Sequence, residues 1–350
     1  MHNTELKTWA KRFQQLTAFS DEATFDERKA ALVAANALCS FEPLEKIPRS
    51  QAFSLRGLIK VVLEDNMAAL ADFNRAVEIQ PDEGYYYHQR AHVYEHIKDY
   101  SAALVDSTKA IEIEPENYLH YVCRGRTYFA MDKYSFALTD FTKAIELVPE
   151  DGHNYHLRGC THDRLKDYTT ALADFNKAIE LRPEEGANYP WRGRAHYELK
   201  DYTAALADFS KAIELQPDEG DNYHERAHIY EQLRNYSAAF TDFNRSIELQ
   251  PQKAENFFCR GKTCYTNKDY TAALADFSKA IEIQPEDAYN YVLRGHMHHQ
   301  LKDYTSALAD LSKAIELQPD NGNNYHGRGR AHYELKDYTA ALADFRVLSL

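Results

Sequence analysis

The side chains with most scope for chemistry are histidines and cysteines. His88, His92 and His96 stand at i, i+4 and i+8, a spacing that puts them on one face of a helix. His156 and Cys160 repeat the four-residue step, as do His224 and His228. Imidazole and thiolate groups at that spacing can bind Zn²⁺ or Ni²⁺. No zinc-peptidase pattern accompanies them, because His92 is followed by Val93, Tyr94, Glu95 and His96. Their regular recurrence is what duplication of a block leaves behind, so neither a metal nor a cofactor is expected. A histidine-rich face would instead respond to pH. Imidazole titrates near pH ~6.5, so binding of an acidic partner should strengthen between about pH 7.5 and about pH 6.

A second chemistry-bearing series is ionic. Arginines run at a fixed interval from Arg56 to Arg328, and sixteen residues after each stands an aspartate. Arg90 thus goes with Asp106, Arg124 with Asp140, Arg158 with Asp174 and Arg192 with Asp208. A planar guanidinium can meet a carboxylate with two bonds, so the series reads as a repeated buried ion pair. Nine catalytic Arg/Asp dyads in one chain is not a credible alternative.

The elements that carry these residues are periodic. Pro81, Pro115, Pro149, Pro183, Pro217, Pro251, Pro285 and Pro319 fall in steps of 34, as do the tyrosines from Tyr100 to Tyr338. Internal repeats of this length signal a stacked array. In Tyr202 to Pro217, Leu206, Phe209, Ile213 and the alanines recur at three- and four-residue spacing, which predicts an amphipathic helix closed by Pro217. Upstream, Tyr189, Ala195, His196 and Leu199 outline another helix, and Lys200-Asp201 separates the two. Each unit is a helix, a short turn and a second helix.

This unit resembles the tetratricopeptide repeat (TPR) family. Residues 186–219 supply its pattern with Tyr189, Gly193, Tyr202, Ala205, Phe209, Ala212 and Pro217. The resemblance runs over 50–350 as eight full units and a shortened ninth, and implies an all-α, right-handed TPR superhelix. One departure is that lysines (Lys98, Lys166, Lys200, Lys336) occupy the turn where the family often has glycine. That should cost little unless the site demands a positive φ.

The resemblance also implies that the first helices line a concave groove that binds another protein. Internal comparison agrees, because the second helices are near copies of one another (202–217 against 270–285) while the first helices vary. Two residues after each arginine comes the series Leu58, His92, Arg126, Cys160, Arg194, His228, Lys262, His296 and Arg330. Placed in the groove by the resemblance, it forms a basic ladder suited to an acidic or phosphorylated segment. Trp191, Tyr197 and Tyr265 are candidate aromatic anchors beside it, with Tyr85, Phe258, Tyr289 and Tyr333. The Lys/Asn/Arg clamp with which some TPR domains hold chaperone tails is not recognisable. A chaperone-associated adaptor and a His-rich metal- or pH-sensing module remain as alternatives.

Residues 1–49 lie outside the register. Leu6, Trp9, Phe13 and Leu16 outline one helix, and Thr24 with Glu27 forms a capping box ahead of another, so these residues should cap the array. At the other end, no polar capping helix follows Phe345, Leu348 and Leu350, which suggests self-association there.

Composition narrows the function further. The chain has 350 residues, a net charge of −13, 44% hydrophobic and 27% charged residues. An acidic balance argues against nonspecific nucleic-acid binding. No apolar run is long enough for a membrane helix or for a secretory leader. Five scattered cysteines (Cys39, Cys123, Cys160, Cys259, Cys264) read as free thiols, which points to the cytoplasm. The overall expectation is a non-enzymatic scaffold for a protein segment.

Overall fold

The computed structural model describes Val33 and residues 46–347. Among the described residues there are eighteen α-helices and no strand. They follow in pairs: α1 (Lys46–Val62) with α2 (Asn66–Ile79), α3 (Gly84–His96) with α4 (Tyr100–Ile113), α5 (Tyr118–Ala130) with α6 (Tyr134–Leu147), and α7 (Gly152–Arg164) with α8 (Tyr168–Leu181). Then come α9 (Asn188–Glu198) with α10 (Tyr202–Leu215), α11 (Gly220–Gln232) with α12 (Tyr236–Leu249), and α13 (Ala254–Thr266) with α14 (Tyr270–Ile283). The last pairs are α15 (Ala288–Gln300) with α16 (Tyr304–Leu317) and α17 (Gly322–Glu334) with α18 (Tyr338–Val347). This is the all-α array of helix pairs that the 34-residue period predicts. The chain divides into two compact units, Met1–Leu181 and Arg182–Leu350. The helices expected before residue 46, Cys39, and the C-terminal Leu348 and Leu350 lie outside the described residues. No helix among the described residues is long and apolar enough to cross a membrane.

Each pair is set by its turn. After α9, the Lys200 N–H bonds the Tyr197 carbonyl and the Asp201 N–H bonds the His196 carbonyl, both at 2.9 Å. That is a Schellman motif, which requires a left-handed residue at its bend. Lys200 provides it with φ 63°, and Glu64, Lys98, Asp132, Lys166, Arg234, Lys268, Lys302 and Lys336 do the same in the other turns. The site therefore does demand a positive φ, the one condition under which the absence of glycine carries a cost. Asp201 then starts α10, its side chain accepting from the Ala204 N–H at 3.1 Å. Asp65, Asp99, Asp167, Asn235, Asp269, Asp303 and Asp337 cap their helices in the same way. Such a cap contributes about 1 kcal/mol.

The core between paired helices repeats one arrangement. In α10, Ala205, Asp208, Phe209 and Ala212 are buried. The Phe209 ring lies so close to α9 that a Cβ on Gly193 would sit 2.8 Å from its Cε2. Phe141 and Phe175 press on Gly125 and Gly159 in the same way, so that a Cβ there would come within 2.7 Å of the ring. Glycine at this position lets a whole phenyl ring be buried, worth roughly 1.5–3 kcal/mol. Ser107 takes the phenylalanine position in α4, where its hydroxyl bonds the Ala103 carbonyl at 2.7 Å.

Beside the ring lies the ion pair. Arg90 donates through Nε and Nη2 to the two Asp106 oxygens at 2.6 and 2.7 Å. Arg124 does so to Asp140 at 2.9 and 2.8 Å, and Arg158 to Asp174 at 3.0 and 2.7 Å. Arg192 reaches Asp208 at 2.5 Å through Nη2 and 3.0 Å through Nε. The same fork closes Arg56–Asp72, Arg226–Asp242, Arg260–Asp276, Arg294–Asp310 and Arg328–Asp344. Nη1 reaches one repeat back: Arg90 to Asn74, Arg124 to Thr108, Arg158 to Thr142, Arg226 to Ser210 and Arg260 to Asn244, at 2.6 to 3.4 Å. One guanidinium thus ties its own second helix to the preceding one.

Candidate partner-binding face

The ladder residues sit two positions past the ion-pair arginines, about 200° further round the helix. That rotation takes them off the packed seam. Arg126 on α5, Arg194 on α9, Lys262 on α13, His296 on α15 and Arg330 on α17 are exposed. Leu58, His92 and His228 are half-buried, and Cys160 is buried. Exposed cations therefore occupy one register in both units.

The aromatic candidates fall into two sets. Trp191 lies under the Arg194 guanidinium, with 5.2 Å from Cζ to the ring centroid, and Phe258 lies under Lys262 at 5.5 Å. A cation held over a ring in this way gains about 0.5–1 kcal/mol at an exposed site. Tyr289 packs against Phe258 at 5.7 Å while remaining 52% exposed. Tyr197 and Tyr265, three residues after Arg194 and Lys262, pack against Tyr202 and Tyr270 at the start of the next helix, with centroids 5.7 and 6.0 Å apart. Tyr333 does the same with Tyr338 at 5.4 Å. These three line the turn side of the helix pair.

Two ladder histidines, His92 and His228, have acidic neighbours on their own helices. His92 Nδ1 lies 3.3 Å from Glu95 Oε2, and His228 Nδ1 lies 2.7 Å from Glu231 Oε2. Burial works against the His228 cation, but hydrogen bonds with Cys259 and Glu231 raise its pKa to about 10. Desolvation and the nearby Arg330 cation push His296 below its ordinary value.

Two side-chain clusters bring together groups that the sequence reading kept apart. His88, His92 and Cys123 place one donor atom each within 4.8 Å of one another, and so do His224, His228 and Cys259. His96, expected to share a face with His88 and His92, is exposed and outside the cluster. The third member comes from the next repeat, as Cys123 on α5 and Cys259 on α13. A signal was available, because each cysteine stands 31 residues after the second histidine of its pair. His156 and Cys160 pair within α7 at 3.4 Å. In the second unit an open cleft of about 610 Å³ lies between α12 and the turn after α13, walled by Tyr236, Phe240 and Cys264. Burial, with Asp276 and Asp269 nearby, lifts the Cys264 thiol to about 11.

Family models identify these repeats. Tetratricopeptide repeat models match residues 156–220, 85–117, 220–253 and 254–287, and a TPR repeat model matches 295–336. Together they cover more than half of the chain. Among solved structures, the fold is similar to a tetratricopeptide repeat protein from Parabacteroides merdae, at 18% identity, 71% of this chain, 98% of that chain and TM-score 0.55. It is also similar to the APC/C hetero-tetramer Cut9–Hcn1, at 17% identity, 89% of this chain, 60% of that chain and TM-score 0.52. YrrB, a TPR protein with an unusual peptide-binding site, aligns at 21% identity over 54% of this chain and 97% of its own, with TM-score 0.47. No curated protein matches the sequence.

Proposed function

The chain belongs to the tetratricopeptide repeat family, and from that premise we propose that it is a non-enzymatic scaffold whose first-helix faces bind an acidic segment of another protein. TPR arrays typically serve protein–protein interaction. The observation that carries the finer reading is the register of exposed cations: Arg126, Arg194, Lys262 and Arg330 occupy one helix position in an otherwise acidic chain. An array that repels acidic segments elsewhere through its net charge of −13 would accept them along this line. Trp191 and Phe258, each beneath one of these cations, supply flat apolar surface for anchoring. The two units each carry part of the ladder, so each is expected to contribute binding.

The experiment compares wild type with a variant in which Arg126, Arg194, Lys262 and Arg330 are each changed to Glu. Both are checked for helicity and used to capture partners from a cytosolic lysate for mass spectrometry. The expected result is an acidic partner retained by wild type, released as salt is raised, and absent with the variant. Equal capture by both proteins would move the binding site to the convex face or the termini.

A further inference from the structure

We propose that the chain carries two like transition-metal sites, His88–His92–Cys123 and His224–His228–Cys259, each a His₂Cys set for Zn²⁺ that bridges adjacent repeats. This inference is independent of the basic ladder. The two histidines of each site stand on one first helix, α3 or α11, and the thiol on the next, α5 or α13. Stacking of neighbouring repeats is what brings the third ligand in.

The donor atoms converge tightly. They lie within 4.8 Å of one another in both sets, and His224 Nε2 and His228 Nε2 are 3.1 Å apart. Ligands at ordinary tetrahedral Zn–N and Zn–S distances stand about 3.4 Å (N to N) and about 3.6 Å (N to S) from one another. A small inward movement of the thiol would complete the geometry.

The supporting shell matches what a metal-bound imidazole needs, with the far ring nitrogen held by an oxygen or another ring. His228 Nδ1 is 2.7 Å from Glu231 Oε2, and Glu231 Oε1 accepts from Thr263 Oγ1 at 2.6 Å. His92 Nδ1 is 3.3 Å from Glu95 Oε2, and Glu95 Oε1 accepts from Thr127 Oγ1 at 2.7 Å. His224 Nδ1 is 2.8 Å from Asn256 Oδ1. His88 Nδ1 is 3.3 Å from His120 Nδ1, and His120 Nε2 is 3.0 Å from Glu114 Oε2. Those contacts occupy Nδ1 and leave Nε2 of each ligand histidine to serve as the donor atom.

Duplication explains why the sets are 136 residues apart. It does not explain which residues stayed the same. His, His, Glu, Cys and Thr are identical in the two copies, whereas the helices packed beside them have diverged: Leu104, Val105 and Ser107 stand where Phe240, Thr241 and Phe243 do. Even the core phenylalanine changed while the donor set did not.

Binding is charge-balanced. The cysteine gives up its thiol proton to solvent and forms an S–Zn bond, and His228, held as a cation in the metal-free chain, releases one ring proton to solvent to ligate as neutral imidazole. The resulting thiolate and the adjacent Glu95 or Glu231 carboxylate offset the two positive charges of the ion. An imidazole-plus-thiolate set suits Zn²⁺ over Mg²⁺ or Ca²⁺. Three protein ligands leave a fourth position for water or for a partner's side chain, on the side where His92 and His228 keep 31% and 32% exposure.

The test uses the full chain, free of any histidine tag and stripped with a chelator. Titration with Co²⁺ should give a thiolate-to-cobalt charge-transfer band and tetrahedral visible bands that saturate at two equivalents and are bleached by Zn²⁺. Cys123→Ser and Cys259→Ser should each remove one equivalent, and the double variant both. Cys160→Ser should remove none, because the position that would supply its third ligand is Trp191. Zn K-edge absorption on the wild-type chain, which needs no variant to fold, should show one sulfur with nitrogen neighbours. A wild-type chain without the thiolate band, a band that survives in the double variant, or a zinc shell of oxygen and nitrogen alone would each overturn the proposal.

Discussion

Arg192 and Arg194 stand two residues apart on α9 and meet opposite environments. Arg192 faces α10, where the Asp208 carboxylate is 5% exposed and takes two of its N–H groups. Arg194 faces outward over Trp191. The same contrast holds along the array, between a seam that repeats Arg and Asp in every unit, and Gly and Phe in most, and a neighbouring face that changes from repeat to repeat. The seam is fixed because every repeat must solve the same packing problem. The outer face is released from that problem, so its chemistry can be chosen for something else.

Four substitutions test the contrast. Arg192→Ala should have the largest effect. It leaves Asp208 buried without its fork, at a cost of about 3 kcal/mol, the lower end for breaking a buried pair because the guanidinium is partly exposed. Thermal denaturation of the second unit measures it, and an unchanged midpoint would remove the ion pair from the structural account. Gly193→Val should come next. Its Cβ would meet the Phe209 ring at 2.8 Å, and overpacking of that kind costs about 1–3 kcal/mol. The same denaturation series reads the loss.

Lys200→Gly should go the other way. The left-handed φ of 63° penalises any side chain, so glycine should stabilise by about 1 kcal/mol, offset in part by its greater freedom when unfolded. A raised midpoint with unchanged helicity supports this, and a lowered one would mean that the Lys200 side chain contributes more than its backbone strain costs. Arg194→Glu should change stability least, by about 0.5 kcal/mol or less, as surface substitutions do. Its effect should appear instead as weaker partner capture. If it unfolds the second unit, Arg194 belongs to the seam and the division between the two faces fails.

Much of the seam was legible from residue spacing. The 34-residue period gave the helix pairs, because a three- and four-residue apolar rhythm closed by proline has few other solutions. The Arg–Asp partnership was legible because it recurs at sixteen residues in every repeat. The outer face was less legible. Spacing puts Tyr197 and Tyr265 three residues past Arg194 and Lys262, but it does not show that their rings pack on Tyr202 and Tyr270. Their position depends on side-chain direction near the helix end, which periodicity alone does not resolve.

The sequence by itself determined what is local and repeated: the helices, the turns between them and the partner of each arginine. Tertiary structure alone decided the contacts made by stacking one repeat on the next. It sent Arg Nη1 back to the preceding second helix, and it brought Cys123 to His88 and His92 and Cys259 to His224 and His228. It also decided that the lysine turns are left-handed. The physical reason is the same in each case. A single helix shows which residues share its face, but residues some thirty positions apart become neighbours only when two repeats pack, and a turn's φ is fixed only when both of its helices are docked.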